Sequence, residues 1–285
     1  MKGLVLHPLT RQQLEGVVVA PSHATVLIGP TGSGKQTLAT KLAESILGLT
    51  PEGLNDYPYK MIIRSEEGKA IGIEAVRQLE HFLSLKVPTN TEHNRVIIIE
   101  DAHQLTTEAQ NALLKTLEEP PKGTIIIMSA SHEQSLLPTI RSRAQAINVK
   151  RPDQESILTY FADRNFGQAD IKQAYAISAG LVGLMDSLLE EEEHPLTLAT
   201  AKARQLLSQS AYERLLNVDE LAKNRELAIN TVAILQQMAH VSLQSASGKA
   251  ALKWQSILSA SYKCAEDLSM SGQPKLALTE LMLNL

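Results

Sequence analysis

Short apolar runs at 26–28, 61–63, 96–99 and 125–128 alternate along the chain with stretches whose apolar residues recur at helical spacing. Runs this short and rich in β-branched residues, without polar alternation, predict strands buried on both faces, with the intervening helices as crossovers of a parallel sheet. Between the second and third runs, the segment 71–83 (IGIEAVRQLEHFL) brings Val76, Leu79 and Leu83 onto one helical face, and 86–94 reads as a polar loop. Beyond Lys150 the strand signals stop. Pro152 and the helical pattern at 155–161 open a region predicted to be helical almost to the end. A small unit closes near Leu189, and the acidic run 190–193 before Pro195 reads as a solvated connector. In the last segment Trp254, Leu258, Tyr262, Ala265 and Leu268 share a face, and Leu276, Leu278, Leu281 and Leu283 follow Pro274, which predicts a helical bundle. The expected division is therefore 1–150 (α/β), 151–193 (small, helical) and 194–285 (all-α).

Composition sharpens this picture in three places. At 285 residues and 44% hydrophobic, the chain can bury cores for two or three domains. The first residues, MKGLVLHPLTRQQ, hold no apolar core of signal-peptide length, and no run approaches the ~18 apolar residues of a membrane span, so the cytoplasm is expected and a membrane is not. A single cysteine, Cys264, excludes an internal disulfide and a multi-cysteine zinc site, and is expected to sit inert in a helix. The formal net charge of −4 argues against a broadly basic surface that coats nucleic acid, while leaving room for a local track of backbone contacts.

The candidate chemistry begins where the first apolar run meets a helical one. Residues 29–37 read GPTGSGKQT (Gly29, Pro30, Thr31, Gly32, Ser33, Gly34, Lys35, Gln36 and Thr37). The frame of Gly29, Gly34 and Lys35 lets backbone amides and a helix N-terminus converge on a polyphosphate, with Lys35 as the point charge. The next position should offer a hydroxyl to Mg²⁺. It holds Gln36, whose amide oxygen lies further out and is a poorer octahedral ligand, so a nucleotide-binding shape is expected without the catalysis. A glycine-rich turn with no ligand is the plainer alternative. The third apolar run ends in Glu100 and Asp101, where a nucleotide hydrolase of this design holds Mg²⁺ and polarises water. Their order is reversed, which leaves the base short by about one methylene, and a displacement of ~1 Å can cost roughly 10²-fold in rate. Two acids capping a strand end toward solvent would look the same.

Downstream lie 111–121 (NALLKTLEEPP), the apolar run and Ser129, then 136–144 (LLPTIRSRA). This string, after a phosphate loop and an acidic strand end, resembles the AAA+ clamp-loader family of bacterial DNA polymerase III. The resemblance covers essentially the whole chain. It implies an AAA+ phosphate-loop module, a small helical lid and an all-α collar for oligomerisation. Gly29 to Gln36 match the Walker A loop, Glu100 and Asp101 the Walker B pair, Ser131 the sensor 1 position, and Ser142, Arg143 and Ala144 the Ser-Arg-Cys motif. Arg143 would then be an arginine finger acting on a neighbour's γ-phosphate. A surface arginine in an ordinary ion pair is its alternative.

Gln36, the reversed acids, and Met185 in place of a sensor 2 arginine together imply a stator-like member with weak or absent hydrolysis of its own. Residues 44–70 lack the four cysteines of the family's zinc module, so no zinc is expected. ATP or ADP is the implied ligand, without tightly held Mg²⁺ and with no other metal. The implied partners are motor subunits of gamma/tau type and a delta-type subunit in a hetero-oligomeric ring, together with a sliding clamp and primed DNA. Two rival readings remain: a hydrolysing motor subunit, and a stand-alone phosphate-loop kinase or switch. The second leaves the last third of the chain without a role.

Overall fold

The computed structural model describes residues 3–65, 70–87, 92–164, 166–190, 195–269 and 273–285. The chain divides into two compact units, Met1–Asp153 and Gln154–Leu285.

The first unit is built on five strands: β1 (Ala24–Ile28), β2 (Lys60–Ile63), β3 (Arg95–Ile99), β4 (Thr124–Ala130) and β5 (Gln145–Asn148). They pair in the order β2-β3-β4-β1-β5, every pair parallel. Because side chains alternate across a strand, each central strand serves two cores. Val96, Ile98, Ile125 and Ile127 face α1 (Pro8–Val19) and α2 (Lys35–Leu47), which contribute Leu14, Leu38 and Leu42. Ile97, Ile99, Ile126 and Met128 face α4 (Ile73–Ser84), α5 (Thr107–Glu118) and α6 (Pro138–Arg141), which contribute Leu79, Leu113 and Ile140. The short α3 (Pro51–Asn55), capped by the Thr50 side chain, buries Leu54.

The four apolar runs are strands, as their pattern predicts, while β5 carries no such signal. It is an edge strand with only Ile147 buried, so its sequence, QAIN, is mostly polar. Ile71 is not helical. It forms a parallel bridge with Leu105, and α4 starts two residues later, after Gly72. Within the expected loop 86–94, positions 88–91 lie outside the described residues, as do 191–193 of the acidic connector.

The second unit is wholly helical: α7 (Gln154–Ala162), α8 (Gln168–Ser178), α9 (Val182–Leu189), α10 (Pro195–Ser208), α11 (Ala211–Leu216), α12 (Val218–Lys223), α13 (Arg225–Ser245), α14 (Gly248–Ser269) and α15 (Pro274–Asn284). One core runs through it from Leu181 and Leu184 to Leu278 and Leu281. The buried stripe of α14 is Ile257, Ser261, Cys264 and Leu268, which shares only Leu268 with the expected face. Trp254, Leu258 and Ala265 are only partly buried, and Tyr262 is exposed. The inward stripe includes Ser261, whose hydroxyl donates to Ile257 O at 2.7 Å, so a polar residue is buried at little cost. On α15, Leu278 and Leu281 are buried while Leu276 and Leu283, seven residues apart, share the outer face. Cys264 is buried and its thiol is pushed up to about 12 by desolvation, helped by Asp267 and Glu280. Among the described residues no helix is long and apolar enough to cross a membrane.

Candidate phosphate-loop site and arginine

The C-terminal rim of the sheet gathers the loop, the acidic pair and Ser131, because β1, β3 and β4 run in the same direction. Ile28 pairs with Ala130, which puts Gly29 level with Ser131, a half-buried residue just beyond β4. Gly32 and Gly34 take φ of 82° and 83°, a left-handed conformation that side chains resist. At Gly29 a Cβ would come 3.2 Å from both Ser33 Oγ and Val149 Cβ, so any side chain there would crowd the loop. The helix α2 begins with no side-chain cap on its first turn, which leaves backbone amides as the donors at its N-terminus. Pro30, Thr31, Gln36 and Thr37 are exposed around this mouth.

Lys35 opens α2 and is 5% exposed. Its ammonium donates to Gly29 O at 2.7 Å and Pro30 O at 3.0 Å. Burial lowers its pKa to about 8, against the opposing pull of the Asp101 carboxylate. Gln36 Nε2 donates to Glu100 Oε2 at 3.2 Å. Burial raises the Glu100 pKa; Arg64 counters this and Asp101 adds to it. Asp101 is left-handed, at φ 48° and ψ 52°, a conformation that Asp tolerates better than most residues, and its N–H donates to Ser129 Oγ at 2.9 Å. Asp101 Oδ1 lies 3.9 Å from His103 Nδ1. Burial lowers the His103 pKa; Asp101 opposes the shift, and the neighbouring Lys35 and His132 reinforce it.

A polyphosphate fits this donor set: Lys35, the two left-handed glycines and the uncapped α2 N-terminus. Magnesium does not. Position 36 turns an amide N–H, a donor, onto the Glu100 carboxylate, and its own side chain carries no hydroxyl. Zinc likewise has no thiolate set, and among the described residues no group of three or more His, Cys, Asp and Glu could hold a metal ion.

Arg143 belongs to a different rim. It lies two residues before β5, and Gln145 pairs in register with Thr25 at the start of β1. Arg143 thus precedes the N-terminal end of β5, whereas the loop follows the C-terminal end of the parallel β1. The paired stretch from Thr25 to Ile28, about 10 Å of strand at ~3.3 Å per residue, lies between them. Arg143 Nη2 pairs with Glu118 Oε1 at 2.6 Å, and Nη1 donates to Thr139 O at 3.0 Å and Ser142 Oγ at 3.2 Å. Arg141 makes a separate contact to Glu133 at 3.8 Å.

Two residues missed by sequence reasoning support these sites. Ser129 is buried in β4 and receives the Asp101 N–H. Gln110, 6% exposed on α5, donates to Leu105 O at 3.2 Å and accepts from Leu137 N at 2.9 Å, which ties α5 to the start of α6. Only Gln110 left a signal, as a polar residue in register with Leu113 and Leu117 on an apolar face. Met185 is fully buried in the core of its unit.

A five-stranded parallel sheet with helices on both faces, a phosphate loop after β1 and an acidic pair after β3 define an AAA+ phosphate-loop module. A family model described as "DNA polymerase III, delta subunit" matches residues 12–153. The subunit delta' of Haemophilus influenzae is 30% identical over 183 residues, 59% of this chain and 55% of that protein. That of Escherichia coli K12 is 29% identical over 189 residues, 59% and 54%. The chain belongs to the DNA polymerase III clamp-loader family and is delta-prime-like within it. The tau subunit of Bacillus subtilis is also similar, at 29% identity over 154 residues, 48% of this chain and 26% of that protein. The chain thus spans about half the length of the delta' relatives it matches. A DNA polymerase III gamma subunit-related protein from Thermotoga maritima shares the fold over 95% of this chain and 97% of its own, with a TM-score of 0.52 at 20% identity.

Proposed function

We propose that the chain is a stator of a clamp loader. It would assemble with gamma/tau-type motor subunits and a delta-type subunit, and offer Arg143 to a neighbour's nucleotide while that ring loads a sliding clamp onto primed DNA in the cytoplasm. The observation that carries this reading is the position of Arg143, across the sheet from its own phosphate loop. A guanidinium at the opposite end of the sheet from its own phosphate loop is placed to serve another subunit's site, where it would stabilise charge developing on the transferred phosphoryl group. Its ion pair with Glu118 is half-exposed, so the guanidinium remains open to solvent on the side away from that carboxylate.

The chain's own hydrolysis is weak or absent in this reading. The loop holds ATP or ADP through Lys35 and the backbone amides of Gly32 to Gln36, while the Gln36 amide takes up Glu100 and no step runs through a metal. Asp101, Ser131 and Met185 stand at the Walker B base, sensor 1 and sensor 2 positions with little left to catalyse. Residues 151–193 serve as lid and 194–285 as collar. Any DNA contact falls on phosphates through amides and a few polar side chains, without base readout.

The test is phosphate release by the reconstituted ring. Arg143→Ala is expected to lower ring turnover by at least ~10²-fold with assembly intact on gel filtration, while the isolated chain stays at background. Unchanged ring turnover rejects the finger, and sustained turnover by the isolated chain identifies a motor instead.

A further inference from the structure

Arg143 is held in place by a carboxylate from another element. Glu118 is the last residue of α5, a helix whose inner face is locked by Ala109, Leu113 and Leu117 in the core. That helix is 12 residues long, a rod of about 18 Å. It starts just beyond the acidic pair of the phosphate-loop rim and ends at the opposite rim, beside the residues that lead into β5. Two contacts fasten it to the segment that carries the arginine. Gln110 receives the Leu137 N–H in the first turn, and Glu118 receives Arg143 Nη2 at the end. Thr139 O and Ser142 Oγ hold the other guanidinium nitrogen. An exposed arginine on its own samples many rotamers, and ordering it costs free energy each time it must act. Here three contacts restrain it, and Nε and part of Nη2 have no partner among them.

We infer that Glu118 is a positioning residue for the finger: its carboxylate fixes the Arg143 guanidinium in the orientation in which it meets a neighbour's polyphosphate. This rests on the reading of Arg143 as a finger. The effect is one of preorganisation, so it appears in turnover and leaves nucleotide binding by the motor subunits alone.

The experiment is steady-state ATP hydrolysis by the reconstituted ring carrying Glu118→Gln or Glu118→Ala, each also combined with Arg143→Ala. Glu118→Ala is expected to lower kcat about fivefold to tenfold with KM for ATP unchanged within twofold, and Glu118→Gln, which keeps an acceptor oxygen, to lower it less. In the Arg143→Ala background neither change is expected to have any further effect. A kcat unchanged by Glu118→Ala overturns the inference, as does an equal loss with and without Arg143, which would mark a general structural role. If Glu118→Ala prevents assembly, Glu118→Asp decides. It keeps the charge but withdraws it by one methylene, and full activity from it overturns the inference. Failure of Arg143→Ala itself to lower turnover rejects the finger, an outcome separate from these.

Discussion

Lys35 is the residue at which local physics most constrains behaviour. Its pKa of about 8 arises from burial, and a bound polyphosphate would restore the charged form. Below pH 8 the free loop carries the proton that binding needs. Above it, binding must first take up a proton, so affinity falls as pH rises through the free-loop value. ADP affinity measured by calorimetry is expected to weaken about tenfold between pH 7 and pH 9, and Lys35→Met to bind weakly with no such dependence. A flat profile for the unaltered chain would show that Lys35 is not the group the phosphates meet. The motif residues were legible because a phosphate loop is local in sequence. Ser129 and Glu118 were not. Their partners, Asp101 and Arg143, lie 28 and 25 positions away, and only the folded sheet brings them together.

Among the elements, legibility followed burial on both faces. Strands β1, β3 and β4 announce themselves as apolar runs because helices cover the sheet on each side. The edge strand β5 buries one residue in four and looks like a loop, yet it fixes which rim carries Arg143. The inner face of α14 was misread for a related reason: Ser261 and Cys264 are small enough to suit a close helix contact, while larger Trp254 and Tyr262 lie at its margin. Helix α5 couples two sites through Gln110, and that gives a stability test. Gln110→Ala removes two hydrogen bonds and leaves Leu105 O and Leu137 N without these partners, so a loss of about 2–3 kcal/mol in urea unfolding of the first unit is expected. A change under 0.5 kcal/mol would mean that the two segments are held by packing alone.

At the scale of the whole molecule, each unit has its own core, and the chemistry of the first is paralleled by the apolar character of the second. Met185 makes the point. A motor subunit of this family would be expected to present an arginine there, but here the side chain is fully buried. Met185→Arg is therefore expected to cost more than ~3 kcal/mol by burying an unpaired charge, seen as a lowered melting transition, and to confer no turnover. A stable Met185→Arg variant that hydrolyses ATP would reverse that conclusion. The helical nature of this unit was plain from sequence, but its single continuous core, running from α9 into α10 and α13–α15, was not, since periodicity says which way a helix faces and nothing about its neighbour.

The opposed rims of the sheet give the first unit a polarity like that of a plug and socket. In a circle of such modules every joint has a direction, and each socket is filled by the plug of the next piece. A piece whose socket holds a nucleotide without turning it over, the role proposed for this chain, would end the series of working joints. Clamp loaders built this way would therefore hold fewer working joints than subunits, and the count of nucleotides turned over per loading event would reveal where this piece sits.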